Sequence, residues 1–135
     1  MTEAQVPSGS AIPETITEEE IRQFVEDYVK RFMKLNLEAY MDLFSEEAVE
    51  NRALPYADIR EAYRKTIQGS HSIQFDVKIY IIQTYAESAF ASGRYQITQI
   101  LKGGRVKTFK GNIQWLLTCR GKSLKIREIN YGIDP

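Results

Sequence analysis

The sequence has one cysteine, Cys119, and one histidine, His71. A lone thiol cannot close a disulfide within the chain, and its place in a strand pattern assigns it the part of a small buried hydrophobe. Glu46, Glu47 and Glu50 have no second His or Cys beside them, so they read as solvated charge next to a short helix, and neither a metal nor a cofactor is expected. No apolar run reaches the roughly 20 residues of a membrane-spanning helix. The N-terminus lacks the hydrophobic core of a signal peptide, so a cytoplasmic location is expected, or a periplasmic one if the domain was excised from an exported parent. Gly103-Gly104 lacks the Lys-Ser/Thr helix start of a phosphate loop, and no Ser has His and acid partners at suggestive places. Nor is there an excess of one charge: 18 basic side chains balance 18 acidic ones, which argues against nucleic acid and membrane as partners. The balance is uneven along the chain, with 9 basic and 16 acidic side chains in residues 1–93 and 9 basic and 2 acidic in residues 94–135. Lys-rich strand faces, which discourage edge pairing, account for that asymmetry.

What is present begins with a helix. Thr17 followed by Glu20 is a capping box, and Ile16 and Ile21 flank it as a hydrophobic staple. Ile21, Phe24, Val25, Tyr28, Val29, Phe32 and Met33 recur at steps of three and four and make one apolar stripe through Lys34. A stripe with two Phe and a Tyr calls for a broad, concave apolar partner. Before it, residues 1–14 are small, polar and Pro-containing without periodicity, and read as a disordered tail or linker to a domain spanning 15–135. After it, Asn36 is a stop or hinge. Leu37 to Phe44 forms a short second helix, Ala48 to Asn51 a brief extended segment, and Pro55 opens a third helix that ends near Ile67 and is closed by Gly69.

The period then changes to two. Ile73 to Ile81, Ala89 to Thr98, Phe109 to Leu117 and Leu124 to Tyr131 alternate as four long strands, with turns at Gly103-Gly104 and Arg120-Gly121-Lys122. Leu124 and Ile126 lie on one parity and Ile129 and Tyr131 on the other, so a β-bulge is expected near Arg127-Glu128. Gly93 and Gly111 are bend points. Helices segregated from such a sheet give an α+β fold: three N-terminal helices packed on a strongly curved, mostly antiparallel sheet, a cone around the first helix.

The order of elements, with FVEDYVKRFMKLNLEAYMDLFSEEAVEN at 24–51, ADIREAYRK at 57–65, SGRYQI at 92–97, GNIQWLL at 111–117 and GKSLKIREINY at 121–131, resembles the nuclear transport factor 2-like superfamily. These are cystatin-like α+β cones that include SnoaL-like and ketosteroid isomerase-like proteins. The resemblance implies ketosteroid isomerases, dehydratases, polyketide cyclases or non-catalytic domains as relatives. The isomerases use a carboxylate base, a Tyr and a protonated Asp. The base position is matched by Asn51, the Tyr by Tyr28, and the Asp falls near Ile113, Asn112 or Gln114, none of them acidic. The His–Asp pair of the dehydratases has only His71 and Asp76 to draw on.

The expectation is therefore a non-catalytic ligand-binding or protein-interaction domain, or an accessory domain of a larger bacterial protein. A small apolar molecule entering the cone would meet Tyr28, Phe32, Asn51 and Tyr63, together with Tyr95, Trp115 and Tyr131. A homodimer would form through the outer sheet face, where Arg94, Gln96, Thr98, Asn112 and Gln114 lie. The alternative is an isomerase, dehydratase or cyclase with His71, Glu50 or Glu128 as acid–base groups.

Overall fold

A computed structural model describes residues 16–121 and 123–135, so the expected tail at 1–14 lies outside the described residues. Helix α1 runs Glu18–Met33. The Thr17 hydroxyl accepts the Glu20 N–H at 3.1 Å, and Glu20 Oε1 accepts the Thr17 N–H at 2.9 Å, which is the expected capping box. Ile16 and Ile21 are both buried. Leu35, at φ +57°, reverses the chain, and Asn36 caps the next helix by accepting the Ala39 N–H at 3.0 Å.

Helix α2 is shorter than its apolar spacing suggests. It covers Leu37–Met41, and the chain is already in strand β1, Phe44–Glu50, where a last helical turn was expected. The reason is tertiary: β1 pairs in parallel with β6, Phe44 opposite Ile126 and Glu50 opposite Ile129, and a sheet partner overrides a weak local preference. Asn51 and Arg52, both with positive φ, turn the chain into the two-residue strand β2, Leu54–Pro55, and helix α3, Tyr56–Gly69. Strands β3 (Ser70–Thr84), β4 (Ser88–Leu101), β5 (Val106–Arg120) and β6 (Ser123–Tyr131) follow as antiparallel neighbours, and the six-stranded order is β2-β1-β6-β5-β4-β3.

Of the register shifts in this sheet, two fall in the middle of long strand pairs. Leu116 pairs with Glu128 and Leu117 with Ile126, which leaves Arg127 as the extra residue at the expected place. Tyr80 is a second extra residue, between Ile79 opposite Gly93 and Ile81 opposite Ser92. Helix α1 lies on the concave face along β3. Tyr28 meets Phe75 and Trp115 edge-on, with ring centroids 5.9 and 5.6 Å apart. Beneath it, Trp115, Leu117, Ile126 and Ile129 are fully buried. Cys119 is a correction to the sequence reading: it is exposed, not buried, with Sγ 3.2 Å from the Gly121 carbonyl oxygen. The end of β5 overruns the core, so parity no longer implies burial there.

Candidate active or ligand-binding cavity

The cone is not filled to its mouth. A cavity of ≈ 210 Å³ remains between α1, α2 and the concave sheet face. Its sides are apolar: Phe32 from α1, Phe75 from β3, Ile97 from β4, Phe109 and Ile113 from β5, and Ile133 after β6. Four hydroxyls and one carboxylate interrupt them, those of Tyr28, Tyr40, Tyr95, Tyr131 and Glu50.

Glu50 is the last residue of β1 and shares its inward parity with Ala48, which carries the carboxyl under the helices. The residue is only 8% exposed. The Tyr131 hydroxyl donates to Oε2 at 3.1 Å. Burial raises the Glu50 carboxyl above its ordinary value, and the Tyr131 hydrogen bond offsets part of that rise. Burial first, then the nearby Glu50 charge, pushes the Tyr131 phenol up as well. The Tyr28 and Tyr40 hydroxyls lie 3.1 Å apart and are hydrogen-bonded, and both phenols are raised by burial and stay neutral at any physiological pH. In a hydroxyl pair one O–H serves the mutual bond and the other remains free to donate elsewhere.

No protein-family model matches the sequence, and no curated protein matches it in a sequence comparison. Solved structures do match. A nuclear transport factor 2-like superfamily protein from Salmonella enterica aligns with TM-score 0.72 at 15% identity, over 87% of this chain and 90% of its own. A ketosteroid isomerase-like protein from Erwinia carotovora aligns with TM-score 0.71 at 18% identity, over 88% of this chain and 100% of its own. A hexachlorocyclohexane dehydrochlorinase aligns with TM-score 0.66 at 10% identity, over 85% and 83%. The chain has the nuclear transport factor 2-like fold.

Within this nuclear transport factor 2-like cone, the residues expected to bind a ligand divide into two groups. Tyr28, Phe32, Tyr95 and Tyr131 line the cavity. Tyr63 stands behind the wall, stacked on Tyr40 with centroids 4.0 Å apart and donating its hydroxyl to the Phe32 carbonyl at 2.7 Å. Trp115 is fully buried behind Tyr28. Asn51 is exposed and turned away: its Oδ1 accepts the Tyr131 N–H at 2.8 Å, and it borders a shallow groove with Asn112, Gln114 and Asn130.

The three alternative acid–base groups part company too. Glu50 enters the cavity, His71 is exposed at the start of β3, and Glu128 pairs with Leu116 on the parity opposite to Ile129, away from the concave side. Of the three residues near the position the resemblance matches with an acid, Ile113 contributes an apolar wall, while Asn112 and Gln114 border the shallow groove outside. The sequence reading left out Tyr40, Phe75 and Phe109 as wall residues. Phe75 and Phe109 carried the inward strand parity and Tyr40 the apolar face of α2, so the signal was present, but it did not separate cavity from core.

Proposed function

We propose that this nuclear transport factor 2-like domain binds a small, largely apolar molecule in the cone cavity and holds its polar end at Glu50 and Tyr131. One observation carries the reading: a buried carboxylate in an otherwise apolar hollow. Burying such a group lowers stability, and a ligand site is where such a loss is tolerated. The hollow is below the ~300–1,000 Å³ of drug-sized sites, which points to a compact ring or branched chain. Saturable binding of cyclohexanol or phenol, read by Trp115 fluorescence and calorimetry, is the expected result. Ile97→Phe, which fills the wall, should abolish it. Equal binding by that variant would mean the probes sit elsewhere.

A second reading, proton transfer to or from the bound molecule, is supported by the raised basicity of Glu50, which suits a general base or acid. Exchange of the α-hydrogens of cyclohexanone in D₂O, followed by NMR and lost in Glu50→Gln, would establish it. Binding without exchange would leave the non-catalytic role standing.

The same variant gives a stability test. The folded-state pKa of Glu50 lies above its unfolded value, so the folded protein holds this proton where the unfolded chain has released it. Stability from this group is therefore present below the unfolded pKa and declines as pH rises through the folded one. Glu50→Gln should remove that decline and become more stable than the wild type at pH 8. A variant whose urea midpoint tracks the wild type at every pH would show that Glu50 is not held in this environment.

We also propose that the outer sheet face pairs with a second copy. The uncharged Gln96, Thr98, Asn112 and Gln114 support this, since amides both donate and accept and so can meet themselves across a two-fold axis. Arg94 is already engaged, bonded to Asn112 Oδ1 at 3.1 Å and paired with Asp134. Sedimentation showing only monomer at high concentration would rule the pairing out.

A further inference from the structure

The cavity wall holds one acid and no base. Among the described residues no Lys, Arg or His lines it. The titratable groups facing Glu50 are Tyr131 from β6, Tyr28 from α1 and Tyr40 from α2, all neutral phenols. Buried carboxylates are ordinarily paired with a cation, and here none stands beside Glu50 among the described residues. The rings around the hollow have a second property. Phe32 and Phe75 meet at 76° with centroids 5.0 Å apart, Phe75 and Tyr95 at 76° and 6.2 Å, and Tyr95 and Tyr131 at 86° and 6.3 Å. Rings set at right angles in succession form a box whose π faces look in different directions. Each face carries the negative side of the ring quadrupole. A box of that kind beside an unpaired carboxylate attracts positive charge wrapped in alkyl groups.

Building on the cavity reading above, we propose that the molecule taken by this cavity is a small organic cation, a quaternary or protonated tertiary amine, with its charge against the Glu50 carboxylate and its alkyl groups against Phe32, Phe75, Tyr95 and Tyr131. An ammonium head needs no hydrogen-bond donors from the wall, which fits a wall whose free donors are phenols. Only the ionised Glu50 attracts the cation, so affinity for a quaternary ammonium, which does not itself titrate, rises with pH as Glu50 titrates and then levels off.

Choline and its neutral isostere 3,3-dimethylbutan-1-ol separate the inference from the reading beneath it. The test is calorimetric titration of the wild type and of Glu50→Gln at pH 5 and pH 8, with circular dichroism confirming that the variant is folded. The expected result is that choline binds the wild type more tightly than the alcohol by roughly tenfold at pH 8. The preference should shrink at pH 5 and vanish in Glu50→Gln, read as the ratio of choline affinity to alcohol affinity within that variant. Alcohol binding as tight as choline binding, or a choline preference that survives in Glu50→Gln, would overturn the cation while leaving the cavity reading intact. Binding of neither probe would overturn both. If Glu50→Gln does not fold, Phe75→Leu and Tyr95→Leu serve instead: they should weaken choline several-fold more than the alcohol, and equal weakening of both probes counts against the cation.

Discussion

Trp115→Ala lowers the unfolding free energy by about 3–5 kcal/mol, read as a fall in the urea midpoint followed by far-ultraviolet circular dichroism. The indole sits in the middle of β5, opposite Ala91 on β4 and Ile129 on β6, and none of its surface is exposed. Two small alanines on β4, Ala89 and Ala91, are themselves fully buried. The sheet therefore gives its central volume to one large side chain rather than to several medium ones, and the alanines beside it on β4 are too short to refill it. Truncation also removes the edge contact with Tyr28, an aromatic pairing of about 0.5–1.5 kcal/mol beyond area burial. Trp115→Phe separates the contributions. The indole N–H has no hydrogen-bond partner among the described residues, so Phe forfeits volume but no hydrogen bond seen there, and should lose well under half as much as Ala. A loss below about 1 kcal/mol for Trp115→Ala would show that the centre of the cone collapses around the hole or was never tightly packed.

That tight centre explains which parts of the fold could be read from the residues and which could not. The Thr17–Glu20 capping box is a local interaction, and it sits where its spacing put it. The slip in parity between Ile126 and Ile129 forecast an extra residue, and Arg127 is that residue, because a strand cannot change the face it buries without one. The parallel pairing of β1 with β6 left no local trace, so the strand at Phe44–Glu50 was read as partly helical. The resemblance matched the base position to Asn51, an amide that leaves the strand at φ +51° and caps Tyr131 from outside. One position earlier, Glu50 keeps strand geometry and turns inward, and a shift of one residue exchanges the two faces. The aromatic residues show a different limit. Parity put Tyr28, Tyr63, Tyr95 and Trp115 inside the cone but is silent on depth along its axis. Depth is what separates Tyr95 on the cavity wall from Trp115 in solid core.

Gly93 and Gly111 were both legible as bend points, yet alanine at the two positions should have different consequences. A Cβ on Gly93 would lie 2.1 Å from the Lys78 carbonyl oxygen and 2.9 Å from Ile79 Cα. Both atoms belong to the backbone of β3 immediately before the Tyr80 bulge, in a strand paired to β4 along its whole length. Neither can retreat without opening the sheet, so Gly93→Ala should lower stability by about 3 kcal/mol or more. A Cβ on Gly111 would come closer still, 1.8 Å from the Gly132 carbonyl oxygen. Gly132, however, lies beyond the end of β6, and its segment is held by separable bonds: the Gly132 N–H to the Asn112 carbonyl at 3.1 Å, the Asp134 N–H to the Lys110 carbonyl at 2.8 Å, the Tyr95 hydroxyl to the Gly132 carbonyl at 3.0 Å, and the exposed Arg94–Asp134 ion pair. Gly111→Ala can therefore be relieved by swinging this segment outward, at about 0.5–1.5 kcal/mol for each bond given up. The movement takes Ile133 off the cavity wall and frees the Tyr95 hydroxyl, so this variant should lose probe affinity out of proportion to its stability. Chemical denaturation of both variants beside cyclohexanol titration of Gly111→Ala checks the contrast. Equal destabilisation by the two substitutions, or unchanged affinity in Gly111→Ala, would mean that residues 132–134 are as firmly fixed as the sheet itself and that Ile133 does not shape the mouth.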